Sequence, residues 1–110
     1  MKKVATVLLL AALLAGCALV NHAVVYQVTG TAASVSVTYV NENGGTSQVT
    51  GAPLPWTYSF TAHVGDFLYV SAQNEGATGS VTATATENGS IVQTSTSSGA
   101  YVIATASGTI

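Results

Sequence analysis

Ser34-Val35-Ser36-Val37-Thr38-Tyr39 decides the fold. Its apolar residues fall at every second position, so Val35, Val37 and Tyr39 share one face while Ser34, Ser36 and Thr38 share the other. A period of two is that of a strand with one buried face, because successive side chains in extended backbone point to opposite sides. Trp56-Thr57-Tyr58-Ser59-Phe60-Thr61 repeats the pattern with aromatics, and Val81-Thr82-Ala83-Thr84-Ala85-Thr86 repeats it with small residues. Phe67-Leu68-Tyr69-Val70 is apolar on both faces, as is Tyr101-Val102-Ile103-Ala104, which suits central strands.

The breaks between these runs carry turn chemistry. Asn41-Glu42-Asn43-Gly44-Gly45 and Glu87-Asn88-Gly89-Ser90 contain residues that tolerate positive φ, and Asn-Gly is a strong hairpin signal. Gly76 and Gly79 frame a further turn, and Ser98-Gly99 another. Pro53 and Pro55 exclude a regular ladder and hold an extended loop before Trp56. The strands expected are Val24–Thr29, Ser34–Val40, Thr46–Thr50, Trp56–Ala62, Phe67–Asn74, Ser80–Glu87, Ser90–Ser97 and Tyr101–Ala106. Seven or eight short strands separated by turns predict an all-β, antiparallel β-sandwich over residues 24–110.

The N-terminus has a different grammar. Lys2 and Lys3 precede an apolar run from Val4 to Ala15, followed by Leu14-Ala15-Gly16-Cys17. A positive start, an apolar segment too short to span a bilayer and small residues at a cut site make a secretory signal. Leu14-Ala15-Gly16-Cys17 also resembles the lipobox of bacterial lipoproteins. That resemblance implies a signal peptide over residues 1–16, cleavage between Gly16 and Cys17, and a diacylglyceryl thioether on Cys17, often with a third, amide-linked acyl chain. Two or more chains give stable anchoring, since each buried methylene contributes about 0.8 kcal/mol. Residues 17–23 then form the lipidated cysteine and a short tether; Ala18 to Ala23 reaches ~20 Å when extended. Ala18, rather than Asp, follows Cys17, which in a cell with two membranes implies the outer one.

Composition narrows the function. Both lysines lie in the signal and there is no arginine, so the mature chain has no Lys or Arg beside Glu42, Asp66, Glu75 and Glu87. Nucleic-acid binding and electrostatic attraction to anionic headgroups both need cationic side chains. Cys17 is the single cysteine, which leaves no disulfide and no thiolate zinc site. No cofactor or metal is expected.

Tyr26-Gln27-Val28-Thr29-Gly30, Val37-Thr38-Tyr39, Pro53-Leu54-Pro55-Trp56, Ser71-Ala72-Gln73-Asn74, Gly79-Ser80-Val81-Thr82 and Ser98-Gly99-Ala100-Tyr101 follow one another in order. Together they resemble the extracytoplasmic domain of the MmpS family, the mycobacterial small membrane proteins, over roughly Val24 to Ser107. The resemblance implies an immunoglobulin-like sandwich and a non-enzymatic role as an accessory to RND-type exporters. Two departures stand out: family members usually carry a transmembrane anchor helix where this chain has a lipobox, and several carry a cysteine pair where it has Ala83 and Ala104 to Ala106.

The individual candidates have plain readings. His63 and Asp66 could pair as base and orienter, yet His63-Val64-Gly65-Asp66 reads as a turn on the sandwich rim. Glu42, Glu75 and Glu87 could offer oxygens to Ca²⁺, but their loops lack the alternating spacing of a calcium loop. Charged loop tips that discourage edge association are the simpler account. Trp56 could be a sugar-stacking platform, while its alternation with Tyr58 and Phe60 places it in the core. His22 lies in the tether, and Asn88-Gly89-Ser90 matches a glycosylation acceptor that reads as a turn. The function expected is a lipid-anchored, non-enzymatic binding or accessory module on the extracytoplasmic side of a membrane, with an envelope protein, such as an RND-type transporter, as partner. The alternative is a structural or adhesive surface lipoprotein.

Overall fold

A computed structural model describes residues 21–110. The expected signal peptide over residues 1–16, the expected cut between Gly16 and Cys17 and the start of the expected tether lie outside the described residues. Eight strands follow one another: β1 His22–Thr29, β2 Val35–Val40, β3 Thr46–Ala52, β4 Trp56–Ala62, β5 Phe67–Asn74, β6 Ser80–Glu87, β7 Ser90–Ser98 and β8 Ile103–Thr109. They form two four-stranded antiparallel sheets, ordered β4-β1-β6-β7 and β3-β2-β5-β8. The expected all-β sandwich is the fold. The pairs β1 with β4 and β2 with β5 are those of strands B–E and C–F in an immunoglobulin-like sandwich. The β6–β7 hairpin extends the first sheet beyond β1, and β8 extends the second beyond β5.

The two-residue period fixes what is buried. Val24, Tyr26 and Val28 of β1 meet Val35, Val37 and Tyr39 of β2, Leu68, Val70 and Ala72 of β5, and Val81, Ala83 and Ala85 of β6. Alanines fill the side of the core toward β7 and β8, with Ala104 and Ala106 also buried. Aromatics fill the opposite side, where Tyr39 packs against Trp56 and Tyr58 at ring-centroid distances of 5.2 and 4.5 Å. The core is thus tapered, thick beside edge strands β3 and β4 and thin beside β7 and β8.

Several strand ends differ from the sequence reading: β2 starts at Val35, β3 runs on to Ala52, β7 to Ser98 and β8 to Thr109. β1 begins at His22, so His22 and Ala23 belong to the sheet rather than to the tether; they pair with Ala62 and Thr61. Tyr101 is not in a strand: its φ is +55°, and β8 starts at Ile103. β8 is also an edge strand, not the central strand its apolar run suggests. Its outer edge is partly met by side chains of β7. Ser97 Oγ donates to the carbonyl of Ile103 at 2.7 Å, and Gln93 Oε1 accepts from Ser107 N–H at 2.6 Å. β5, by contrast, is the central strand expected, lying between β2 and β8.

Candidate functional site

The strand ends sort the loops into two groups. At one end, where the chain enters β1, lie the turns 41–45, 63–66 and 88–89. At the other lie the segments 30–34, 53–55, 75–79 and 99–102.

The far end is built on two close approaches. Gly30 (φ +137°) lies against the backbone of Ser80, where a Cβ would sit 2.2 Å from the carbonyl oxygen; one on Gly79 (φ +106°) would sit 2.9 Å from Ala32 Cα. Only glycine permits both the dihedral and the approach. The crossing lets Thr31 and Ala32 N–H both donate to Ser80 O at 3.1 Å. Asn74 is fully buried at the same end. Its Nδ2 donates to the carbonyls of Thr78 and Gly99, each at 2.9 Å, and its Oδ1 accepts from Gly76 N–H at 2.9 Å. One side chain therefore joins the β5–β6 and β7–β8 connections and leaves no hydrogen-bonding atom of its amide idle. The motifs Gly30, Asn74, Gly79 and Gly99 are the framework of this end.

Glu75 lies beside Asn74 and works as a clasp. Its carboxylate accepts from Ser34 Oγ and Ser36 Oγ at 2.7 Å each and from Gly51 N–H at 2.9 Å. Those bonds, led by the one from Gly51, hold its carboxyl below the usual carboxylate range. Pro53-Leu54-Pro55 follows, with a cis Leu54–Pro55 bond. Trp56 then faces the interior but is half-buried, because β4 is an edge strand whose outer flank has no neighbour in its sheet. It packs against Tyr39 and stacks parallel to Tyr58.

At the entry end, His22 Nδ1 hydrogen-bonds Glu87 Oε2. Asn88 N–H donates to Ala23 O at 2.8 Å, and Asn88 Oδ1 accepts from Ala23 N–H at 2.9 Å. Asn88 and Gly89 have φ of +50° and +83°, the signs a type I′ hairpin turn requires. Asp66 Oδ2 accepts from His63 backbone N–H at 2.8 Å, while the His63 ring stands 3.6 Å away and points into solvent. This is a capped turn. Tyr58 Oη donates to Glu42 Oε2, and that bond pushes the Tyr58 hydroxyl up to about 12 and Glu42 down.

Glu42, Glu75 and Glu87 do not converge: Glu75 sits at the far end, and each carboxylate is engaged by different donors. Among the described residues no three His, Cys, Asp or Glu side chains gather in a group that could hold a metal. A pocket of about 120 Å³ opens between Val40, Asn41, Phe60, Asp66 and Phe67. That is the space of a few waters, well short of the ~300 Å³ at which pockets for drug-sized ligands begin. Two apolar residues at this end are exposed, which sequence reasoning did not single out. Val64, at the tip of the 63–66 turn, is 80% exposed, and Phe67 is 52% exposed. For Val64 the signal is an apolar residue in the middle of a turn.

The family described as Mycobacterium membrane protein matches residues 15–107. No curated protein matches the chain. The family match spans the whole sandwich up to Ser107 and covers every motif through which the sequence resembles the MmpS proteins. The chain belongs to the Mycobacterium membrane protein family, the MmpS-like proteins.

Proposed function

We propose that this protein is a lipid-anchored, non-enzymatic module of the cell envelope that engages a membrane transporter of the RND type. In this reading residues 1–16 are removed as a signal peptide, Cys17 carries the lipid, and the sandwich stands on the extracytoplasmic side. In a cell with two membranes the anchor lies in the outer one. Family membership is the observation that carries the reading. Leu14-Ala15-Gly16-Cys17 supports the anchor, taking the place of the family's usual helix. The use of the titratable side chains supports a non-enzymatic role: Glu42, Asp66, Glu75, Glu87 and His22 each hold a turn or a strand end.

One observation favours a second reading, a structural or adhesive surface lipoprotein. The outer face of β6 and β7 is an uncharged threonine ladder in which Thr82–Thr96 and Thr84–Thr94 share hydrogen bonds of 2.8 and 2.9 Å. Crosslinking in intact envelopes followed by affinity capture separates the two. Recovery of an RND-type transporter supports the accessory role. Recovery of matrix or surface polymers without a transporter supports the second reading instead.

A further inference from the structure

The exposed large apolar side chains are not evenly distributed. Among the described residues they are Val64, Phe67, Ile91, Val92, Tyr101 and Ile103. Four of these, Val64 to Val92, belong to the end at which the chain enters β1. His22 pairs with Ala62, so Val64 projects two residues beyond the first rung of the sheet. Phe67 opens β5 directly after the same turn. Ile91 pairs with Thr86, next to the hairpin turn that is hydrogen-bonded to Ala23. Val64, Phe67 and Ile91 are 80%, 52% and 65% exposed. Val92 is partly covered by Gly108, against which its Cγ1 packs.

The chain outside the described residues identifies what covers this end. It runs back from residue 21 through three residues to Cys17, then to the apolar run ending at Ala15. Five residues span at most ~18 Å. Whatever holds the N-terminal segment in a membrane therefore holds this end, and not the far one, against that membrane. We infer that the entry end is a membrane-contact surface: Val64 and Phe67 enter the interfacial layer of the bilayer, with Ile91 at its rim. The inference rests on N-terminal anchoring, whether by lipid or by another apolar attachment.

The chemistry of the end specifies the lipid surface. Glu42, Asp66 and Glu87 lie here, and residues 21–110 contain no Lys or Arg. Contact is therefore apolar and suits a zwitterionic or uncharged headgroup layer, not an anionic one. The carboxylates accept from Tyr58 Oη, His63 N–H and the His22 ring, so their partners stay in place at the rim while the turn tip enters. Seated this way, the sandwich points its 53–55, 75–79 and 99–102 segments away from the bilayer.

Bromine-labelled acyl chains test this. The full chain is reconstituted in phosphatidylcholine vesicles carrying brominated lipid, and tryptophan fluorescence is read. The native Trp56 lies at the far end and should be unquenched. In Val64→Trp and Phe67→Trp, each combined with Trp56→Phe, the introduced indole should be quenched, and added salt should leave the quenching unchanged. Val64 is a turn-tip side chain, so its replacement leaves the core intact; a β-rich circular dichroism spectrum confirms folding. Vesicle-bound protein whose introduced indoles are quenched no more than Trp56 overturns the inference alone, as does burial of the same residues in a dimer. Protein that stays in the supernatant overturns N-terminal anchoring and this inference together.

Discussion

Tyr26 Oη donates a 2.8 Å hydrogen bond to the carbonyl oxygen of Val40, so the centre of one sheet is tied to the end of a strand in the other. The same oxygen accepts from Tyr69 N–H at 3.2 Å. Tyr26 is completely buried, and its ring packs on Tyr39 and Phe60. A hydroxyl here bridges β1, β2 and β5 at the place where the aromatic half of the core is thickest.

Tyr26→Phe keeps the ring and removes the bridge. Two backbone groups then lose a partner in a poorly hydrated site, which costs about 1–3 kcal/mol. A urea melt should show a lower midpoint with an unchanged slope. An unshifted midpoint would mean that water replaces the hydroxyl.

Burial raises the Tyr26 hydroxyl above its ordinary value of 10.0, outweighing the bond from Tyr69 N–H. A raised acid of this kind contributes stability that is present below pH 10 and is lost as the pH rises through its folded value. Tyr58, pushed up to about 12, adds in the same direction. Urea midpoints measured upward from pH 9 should fall steeply in the wild type and less steeply in Tyr26→Phe.

Glu75 works at the opposite limb. Its lowered carboxyl contributes stability above its unfolded value that is lost as the pH falls through the folded one. Glu75→Gln should flatten the acid side of the stability profile, visible in melting temperatures between pH 6 and 3. Glu42, lowered by Tyr58, leaves a residual slope. An unaltered profile in Glu75→Gln would show that the clasp on Ser34, Ser36 and Gly51 contributes nothing.

How far the sequence reached can be seen residue by residue. Alternation placed Val35, Val37 and Tyr39 on the buried face, because that face is a local property of extended chain. Asn-Gly marked the 88–89 turn for the same local reason. Alternation did not reveal how deeply a face is covered. Trp56 points inward as expected, yet edge position leaves it half-buried instead of closing the core. His22 reads as tether in the sequence because its partners, Ala62 and Glu87, lie 40 and 65 residues away. The linkage of Asn74 to Gly99 is equally non-local. Tyr101 looked like strand because its neighbours are apolar, while its backbone turns through positive φ. Glu75 read as a charged loop tip, since Gly51 N–H reaches it only through the folded sheet.

Half-burial also sets the size of a mutational effect. Trp56→Ala removes contacts with Tyr39 and Tyr58 but leaves no enclosed cavity. The cost should be about 2 kcal/mol, below the ~3–5 kcal/mol of a fully buried aromatic. Urea titration gives the value, and acrylamide should quench the single tryptophan to an intermediate degree. A loss of all folded protein, with quenching nearly absent, would put Trp56 in the sealed core.

The anchor is the claim on which the placement of the whole domain depends, and intact-protein mass spectrometry of the envelope fraction, with radiolabelled palmitate supplied to the cells, tests it most directly. The account predicts a chain that begins at Cys17 and carries acyl mass on that residue, and a Cys17→Ala variant that takes up no label and keeps residues 1–16. A chain that retains residues 1–16, or label that persists in Cys17→Ala, would contradict it.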